Sequence, residues 1–222
     1  MKKIGYHEIT SVIHCLSGLR VGGSDELLQI GGTDLTCIKH AVTLKPYIPG
    51  SSIKGKMWSE QEQRLGKFGG GGTEPCGCAK PDCLVCRVFG PHKKAKHELG
   101  PTRIVVRDAA CTKGGETELK SENVIDRKTG TALHPRKVER VVAGSDFSLR
   151  IGIQIWDGDE KTDYENLKKV KKAGGMALVA FVLDGLKLVQ RTGLGSGVSK
   201  GSGEVQFNEL KLDSSPIPED LW

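Results

Sequence analysis

The chain has 222 residues, of which 37% are hydrophobic and 5% are aromatic, and its formal net charge is +6. This length is sufficient for one domain with insertions, and the positive charge favours a polyanionic partner, although many basic proteins bind no nucleic acid. The scarcity of aromatic residues argues against RNA binding dominated by stacking of bases on aromatic side chains.

The cysteine distribution and the apolar segments predict a cytoplasmic protein without a membrane span. The basic start MKKIGYHEIT is not followed by an apolar signal region, and the longest apolar run, 176–183, is shorter than the ~20 residues that a spanning helix needs. The seven cysteines are odd in number, and several of them cluster at 76–86. This distribution argues for reduced thiols and against a secreted disulfide framework.

The hydrophobic pattern and the turn residues predict an α+β fold. In chain order, we expect a strand over 4–16, a helix capped by Ser51 or Ser52 and running to about 65, an insertion over about 69–100, a strand over 103–111, a projecting arm over about 113–140, a strand over 148–156, a helix over 162–190 interrupted near 174–175, and a strand over 204–212. Without the arm and the insertion, this order is the split βαβ pattern of a ferredoxin-like fold.

The segment 49–56, PGSSIKGK, predicts an anion site. A turn leads into a helix whose first turns carry two serine hydroxyls and two lysines, and free N–H groups at a helix start attract phosphate. A single carboxylate, that of Asp34, lies about twenty residues before these lysines, just after the glycine pair 31–32. Together they suggest chemistry on a phosphodiester, whereas the ordinary alternative is a turn aspartate near a solvated lysine helix.

The cysteine cluster CGCAKPDCLVC predicts a metal site. Cys76 and Cys78 form one pair and Cys83 and Cys86 form another, and two such pairs can bind Zn²⁺ tetrahedrally as thiolates. Four thiolates leave no open position, so the zinc would be structural and would stabilise the insertion. Two histidines, His92 and His97, are alternative ligands in place of one cysteine.

Two further segments offer phosphate-binding groups. The glycine-rich loop 193–203 contains Ser199 and Lys200, and its glycines would allow close approach of a sugar-phosphate chain, although a flexible turn is the alternative. The arm contains Arg127, Arg136 and Arg140, whose guanidinium groups suit phosphate, although a solvated charged hairpin is the ordinary interpretation. The lysines at 168–172 are interpreted as a solvated helix face.

Six segments of the chain resemble the RAMP superfamily in their sequence and order. They are GLRVGG at 18–23, QIGGTD at 29–34, PYIPGSSIKGKMW at 46–58, CRVFG at 86–90, ENVIDRKTGTALHPRKVERV at 122–141 and GLGSGVSKGSGEV at 193–205. They are most similar to the repeated backbone subunit of type III-A (Csm) CRISPR effector complexes. The resemblance extends over nearly the whole chain.

This resemblance implies a fold and a function. The fold is a single RAMP domain over 1–222 with an RRM-like core, a zinc-bearing insertion and a β-hairpin thumb. The implied partners are CRISPR RNA, complementary target RNA, further copies of the chain arranged head-to-tail and other type III effector subunits. The implied activity is endonucleolytic cleavage of the target RNA at regular intervals in antiviral defence.

The resemblance also assigns roles to individual residues. Asp34 matches the cleavage aspartate of the family. The implied RNA-binding residues are Arg20, Ser51, Ser52, Lys54, Lys56, Arg127, Arg136, Arg140, Ser199 and Lys200. This chain departs from the family pattern at Arg20, where a histidine is often found, and at Lys200, where arginine followed by Gly-Tyr-Gly is commoner. The cysteine cluster matches the zinc-bearing insertion of some members.

The mechanism that we expect uses the 2′-hydroxyl of the RNA as its nucleophile. Asp34, with Mg²⁺ or Mn²⁺, would orient or deprotonate this hydroxyl, and the products would be a cyclic phosphate and a 5′-hydroxyl. A single carboxylate is enough for this role but not for a two-metal hydrolysis.

Two other functions are compatible with the sequence. One is a non-catalytic RNA-binding scaffold of the same superfamily, in which Asp34 is a turn residue. The other is a stand-alone enzyme that processes repeat RNA, which would need a histidine-centred acid–base site. The N-terminal candidates for that site are His7, His14 and His40.

Overall fold

The computed structural model describes residues 1–22, 35–160, 174–219 and 221–222. The strands, numbered in chain order, are β1 (Lys3–Cys15), β2 (Tyr47–Ile48), β3 (Phe68–Gly69), β4 (Glu74–Pro75), β5 (Ile104–Val106), β6 (Ala109–Lys113), β7 (Thr117–Ile125), β8 (Ala132–Val141), β9 (Asp146–Trp156), β10 (Val205–Leu212) and β11 (Ser215–Pro216). The α-helices are α1 (Gly50–Leu65), α2 (Leu84–Phe89) and α3 (Gly175–Thr192). The predicted α+β class is therefore confirmed.

The main sheet is antiparallel and has β1 near its centre. Within the described residues its strand order is β11-β10-β1-β9-β6-β2, and β5 also pairs with β9. The long strand β9 has apolar residues at alternate positions, and these residues are buried, whereas Ser148 and Arg150 between them are exposed. This alternation gives the sheet one face for the core and one face for solvent.

The helices α1 and α3 cover the apolar face of the sheet. Ile53 and Met57 from α1 and Phe181 from α3 are buried in the same core as the inward residues of β1 and β9. The two helices cross closely at Gly185, where an added Cβ atom would lie 3.5 Å from the Cβ of Met57. The buried Gln61 amide donates to the carbonyl of Phe181 at 2.7 Å, and this bond links the two helices.

The predicted strand over 103–111 is divided into two short strands. Both β5 and β6 pair with β9, but the chain breaks between them at Arg107 and Asp108. The break receives the start of α1, because the amide of Gly50 donates to Oδ1 of Asp108 at 2.8 Å. An added Cβ atom at Gly50 would lie 2.4 Å from the carbonyl oxygen of Val106, so the helix start fits closely into the gap.

The predicted serine cap of α1 is wrong, because the carboxylate at the break between β5 and β6 caps the helix instead. The helix begins at Gly50 with Pro49 in the capping position, and neither Ser51 nor Ser52 makes a capping hydrogen bond. The carboxylate of Asp108 takes that role from a distant part of the chain. Sequence proximity therefore indicated the wrong capping group.

The predicted arm is a two-stranded hairpin formed by β7 and β8. The two strands pair from Thr117 opposite Val141 to Ile125 opposite Ala132 and form a sheet separate from the main one. The turn is closed by Asp126, whose Oδ1 accepts hydrogen bonds from the amides of Lys128 and Thr129. The hairpin therefore projects as the charge and turn pattern predicted.

The remaining predicted strands are confirmed within a few residues at their ends, and the second predicted helix is confirmed over its described part. The first and last strands, predicted over 4–16 and 204–212, are β1 and β10. The predicted helix over 162–190 is described from Gly175 onward as α3, and its first part, with the lysines at 168–172, lies outside the described residues. Among the described helices, none combines the length and the apolar character needed to cross a bilayer.

A buried ion pair attaches the end of the insertion to the sheet. The guanidinium of Arg103 donates to both carboxylate oxygens of Asp159, at 2.8 and 2.9 Å, and both side chains are 0% exposed. Arg87 of α2 approaches the same carboxylate at 3.6 Å and donates to the carbonyl of Pro81. One carboxylate thus joins α2, β5 and the turn after β9.

We expect Asp159→Asn to lower the free energy of unfolding by about 3 kcal/mol, because it leaves two buried guanidinium groups without a compensating charge. The matched control is Asp184→Asn, which removes a more exposed partner of Arg64 at 3.2 Å and should cost less than about 1 kcal/mol. Urea unfolding of both variants measures the difference. Equal losses in the two variants would contradict the structural role of Asp159.

Candidate nucleic-acid interface

The hairpin is attached to the rest of the molecule by backbone pairing at its base. Leu19 and Val141 exchange two hydrogen bonds, with N···O distances of 2.9 and 2.7 Å. On the other side, the amide of Glu139 donates to the carbonyl of Leu35 at 2.9 Å. The segments before and after 23–34 therefore both run along β8.

A buried carboxylate strengthens this attachment. Glu139 of β8 accepts hydrogen bonds from the amide of Cys37 at 2.9 Å, from Lys39 at 2.6 Å and from the hydroxyl of Thr117 at 2.7 Å. Although burial raises the pKa of Glu139, the hydrogen bonds from Lys39, Cys37 and Thr117 outweigh it and lower that pKa. The charged form of Glu139 therefore ties the 37–39 segment to both strands of the hairpin.

The glycine-rich loop packs on the opposite side of the hairpin base. The amide of Gly203 donates to the carbonyl of Gly18 at 2.9 Å, and the amide of Ser196 donates to the carbonyl of Arg20 at 2.8 Å. At Gly195, where φ is +79°, an added Cβ atom would lie 2.2 Å from that same carbonyl oxygen. The loop therefore needs glycine to approach this backbone.

These three segments enclose a cleft of about 210 Å³. Its walls come from the 18–22 segment, from the hairpin and from the glycine-rich loop, and Leu35 completes them. The lining residues are Arg20, Leu35, Glu122, Arg136, Val138, Arg140, Ser196, Gly197, Ser199, Lys200 and Ser202. Five of the predicted RNA-binding residues, distant in sequence, are thus brought together: Arg20, Arg136, Arg140, Ser199 and Lys200.

Two of the cations of this cleft bond to hydroxyl groups. Arg20 donates through Nη1 to the hydroxyl of Ser196 at 2.8 Å, and Arg140 donates through Nη1 to the hydroxyl of Ser202 at 3.2 Å. Gly18 leaves room for Arg140, because an added Cβ atom there would lie 2.4 Å from Nε of Arg140. The guanidinium groups are thereby oriented before any ligand binds.

The predicted helix site at the start of α1 is separate from the cleft, since none of Ser51, Ser52, Lys54 and Lys56 is among the lining residues. Lys56 pairs with Glu60 at 2.6 Å, and the Nζ of Lys54 lies 5.9 Å from the centre of the Trp58 ring. Burial lowers the pKa of Lys54. The predicted RNA-binding residues other than Arg127 therefore form two groups.

Arg127 belongs to neither group. It lies in the turn at the tip of the hairpin and is exposed. The same hairpin exposes several large apolar side chains, which are Leu119, Val124, Ile125 and Leu133. A projecting element with exposed apolar groups favours contact with another macromolecule.

The predicted catalytic residue, Asp34, lies outside the described residues. Its chain neighbour Leu35 is described and lines the cleft. Gly22, at the other side of the 23–34 segment, forms a bridge with Cys37.

The four predicted cysteines converge as the spacing predicts. The Sγ atoms of Cys76, Cys78, Cys83 and Cys86 all lie within 4.8 Å of one another, and Cys86 is 3.6 Å from Cys76 and 3.7 Å from Cys78. A tetrahedral zinc with Zn–S bonds of about 2.3 Å requires S···S separations of about 3.8 Å. The cluster could therefore hold a metal such as zinc with little movement.

One thiol of the cluster is already acidic. Hydrogen bonding from Cys86 lowers the pKa of Cys83 to about 5, whereas burial raises the pKa of Cys76 to about 11. Neither predicted alternative ligand belongs to the cluster in the described chain: the amide of His92 donates to the carbonyl of Cys76, and Nδ1 of His97 accepts from the amide of Leu99. The four cysteines are sufficient for a tetrahedral site.

The insertion that carries the cluster is packed against α1. Glu62 of α1 accepts hydrogen bonds from the amide of Cys76 at 2.6 Å and from the indole of Trp58 at 2.7 Å. The ring of Phe89 from α2 stacks on Trp58 with 5.7 Å between ring centres. The cysteine cluster therefore also supports the helix that begins with the predicted anion site.

The histidines considered for acid–base catalysis are dispersed. Nδ1 of His7 lies 2.7 Å from Asp213, and Nδ1 of His14 lies 2.6 Å from Asp146. Nδ1 of His40 accepts from the amides of Val42 and Thr43 and closes a local turn. Each histidine thus has its own local partner, and this arrangement gives no support to a histidine-centred site.

Sequence reasoning missed three groups that organise the interface. Glu122 and Ser202 line the cleft, and Asp108 caps α1. Glu122 opens the segment 122–141 that pointed to the hairpin. Its partner Arg136 lies in the same segment, but its second partner, Lys200, comes from the glycine-rich loop. Asp108 lies within the predicted strand 103–111. Its charge was the feature of the sequence that could have indicated a break in this strand.

Comparison with known proteins agrees with these observations. Residues 12–206 match the family profile described as RAMPs, the RAMP superfamily. The chain is 38% identical to the "CRISPR system Cms endoribonuclease Csm3" of Methanothermobacter thermautotrophicus, over 94% of this chain and 86% of that protein. It is 34% identical to the protein of the same name from Streptococcus thermophilus, over 92% of this chain and 88% of that protein.

A solved structure has the same fold. The chain resembles a chain of the Csm3–Csm4 subcomplex of the type III-A CRISPR–Cas interference complex, with a TM-score of 0.57 and 24% identity, over 96% of this chain and 80% of that chain. This likeness supports the shared fold, and the sequence matches establish the relationship. The chain therefore belongs to the RAMP superfamily and, within it, to the Csm3 family.

Proposed function

We propose that this chain is the backbone subunit of a type III-A CRISPR ribonucleoprotein that binds CRISPR RNA and cleaves complementary target RNA. The observation that carries the proposal is the cationic cleft, where Arg20, Arg136, Arg140 and Lys200 meet at the base of the hairpin. The names of the relatives, which are endoribonucleases of CRISPR systems, support the same activity.

The finer description of the fold is part of the same proposal. We take the chain as a single RAMP domain over 1–222 with a ferredoxin-like core made of β1, α1, β5 with β6, β9, α3 and β10. The antiparallel order β10-β1-β9-β6 supports this description. The insertion over about 69–100 and the thumb over about 113–140 are additions to that core.

The cleft is suited to the phosphates of an RNA backbone. Guanidinium groups bind phosphate oxygens through two parallel hydrogen bonds, and hydroxyl groups of Ser199 and Ser202 can donate further ones. These contacts do not depend on base identity, as is required of a subunit that serves many guide sequences. Ser51, Ser52, Lys54, Lys56 and Arg127 would contact RNA on other parts of the surface.

We expect Arg20→Gln to weaken binding of single-stranded RNA by the full chain about tenfold, because a charge-assisted phosphate contact is lost. The slope of log K against log salt should become shallower by about 0.7, the value for one phosphate on a single strand. Arg64→Gln is the matched control, since Arg64 lies on α1 and pairs with Asp184. Equal RNA affinities of the two variants would mean that the cleft is not part of the RNA-binding surface.

Asp34 is the proposed catalytic residue of the complex. Its carboxylate would orient or deprotonate the 2′-hydroxyl of the target strand, and a bound Mg²⁺ or Mn²⁺ would stabilise negative charge at the phosphate. The position of Leu35 in the cleft wall supports this role, because residue 34 is its immediate neighbour in the chain.

In the assembled, guide-loaded complex, Asp34→Ala should abolish target cleavage while binding of guide and target persists. The reason is that the carboxylate acts on the reacting hydroxyl and not on the phosphates that hold the strands. The control is Asp184→Ala, which removes an equally charged carboxylate from α3. The complex that carries this variant should cleave target RNA normally. Normal cutting by the Asp34 variant would refute the assignment of Asp34 as the catalytic residue.

We further propose that the four cysteines bind a structural Zn²⁺. The S···S separations near 3.7 Å and the reduced state of all four thiols support this assignment. When bound, the ion would supply four metal–ligand bonds that hold 76–86 together. This chain's own contribution is the set of thiolates and the Glu62 contact that joins the cluster to α1.

Native protein should contain about one zinc per chain, and Cys83→Ser should lose it and unfold at a lower temperature. The control is Cys111→Ser, which changes a cysteine outside the cluster and should retain the zinc. Elemental analysis and thermal unfolding measure the two effects. A native protein purified without chelators that contained no metal would refute the zinc assignment.

A further inference from the structure

The cleft contains one acidic side chain among its cations. Glu122 of β7 points its Oε2 atom at Nη2 of Arg136, at 2.9 Å, and at Nζ of Lys200, at 3.5 Å. Its side chain is only 15% exposed. The carboxylate therefore bridges a cation of the hairpin and a cation of the glycine-rich loop.

This bridge is held by a second contact between the same two elements. Lys120, two residues before Glu122 on β7, donates through Nζ to the carbonyl of Lys200 at 2.6 Å. The loop residues Val198–Lys200 form a short 3₁₀ turn that ends at these contacts. The lysine of the loop is thereby held beside the hairpin, where Glu122 can neutralise it.

One further donor at the cleft lacks a partner among the described residues. Nε of Arg20 is buried and has no hydrogen-bond partner in the described chain. A buried donor without a partner is unfavourable, and an additional acceptor in the cleft would relieve this cost. Within the described residues, this donor is not satisfied by the chain's own acceptors.

The ionised form of Glu122 is stable in this setting. The hydrogen bond from Arg136, with further contributions from Lys200, lowers the pKa of Glu122 below its usual range. The carboxylate is therefore charged near neutral pH and competes directly with any other anion. A carboxylate between two cations has the geometry that a phosphate would adopt there.

We propose that Glu122 is an internal counterion that occupies a phosphate subsite of the cleft and must be displaced by an RNA phosphate. The inference rests on the proposed RNA-binding function of the cleft and adds a residue that opposes binding. Displacement exchanges one anion for another, so each phosphate contact contributes little net binding free energy. Affinity for stray RNA is thereby limited, and stable binding depends on many contacts along a strand.

The test is binding of a fluorescent single-stranded RNA oligonucleotide to the full chain over a series of salt concentrations. Glu122→Gln keeps the shape of the side chain and removes its charge. It should tighten binding about three- to tenfold, because Arg136 and Lys200 no longer exchange partners. The slope of log K against log salt for this variant should become steeper by about 0.7.

Glu116→Gln is the matched control. Glu116 is exposed and directly precedes β7, so this variant changes the net charge equally without altering the cleft. Its affinity should stay within about twofold of the wild type, because exposed charges are screened by salt. An equal gain in both variants would mean a general charge effect and would overturn the inference.

A double-mutant cycle with Arg136→Gln tests whether the effect is local. The gain from Glu122→Gln should shrink when Arg136 is already neutral, because the displaced pair no longer exists. If Glu122→Gln disturbs the hairpin in thermal unfolding, Glu122→Asp provides a second variant. Its shorter side chain keeps the charge but withdraws it from Arg136, and we again expect tighter binding than in the wild type.

The outcomes separate this inference from the proposed function. If Arg20→Gln and Arg136→Gln bind RNA as tightly as the wild type, the cleft is not an RNA site and both ideas fail. If those variants bind weakly while Glu122→Gln shows no gain or a loss, the cleft binds RNA and Glu122 supports binding, which overturns only the counterion role.

Discussion

The two backbone hydrogen bonds between Leu19 and Val141 are the contact on which the interface depends. They hold the chain after β1 against the last residue of the hairpin, and Glu139 extends the contact to the 35–39 segment. The glycine-rich loop can then pack on the same backbone, because Gly18 and Gly195 leave no side chain in the way. Without this junction the hairpin would be a detached two-stranded ribbon, which is at best marginally stable in water. The junction makes the hairpin, the loop and the 18–22 segment into one rigid surface.

Charge in this surface is arranged in compensated groups. The net charge of +6 suggests a freely available basic face, yet Arg136, Arg140 and Lys200 each lie beside a carboxylate of β7, either Glu118 or Glu122. Lys56 of α1 shows the same pattern, since it is paired with Glu60. Pairing orients the cations and lowers the self-repulsion of the free subunit. It also means that RNA binding is an exchange of partners, in which many weak contacts along a strand accumulate into stable binding.

Several features could be predicted from the sequence because they depend on local pattern. The alternation in β9 follows from a strand with one buried face, and the hairpin follows from charged strands joined by an Asx turn at Asp126. The cysteine cluster follows from short spacing, since the cysteines are two and three residues apart within the pairs and the pairs are only five residues apart. The cap of α1 could not be predicted, because Asp108 lies 58 residues from Gly50 and reaches it through the break between β5 and β6. The ion pair between Arg103 and Asp159 was missed for the same reason.

The sequence by itself determined the family, the order of strands and helices, the metal-binding spacing and the residue types available for phosphate contacts. It assigned Arg20, Arg136, Arg140, Ser199 and Lys200 to RNA on motif resemblance, without saying that they face one another. Only the tertiary structure brought them to one cleft, set Glu122 between two of them and left the α1 lysines outside it. The physical reason is that charge pairing and burial depend on distances between segments far apart in the chain. Those distances follow from strand order and backbone contacts such as Leu19 with Val141, and no local pattern encodes them.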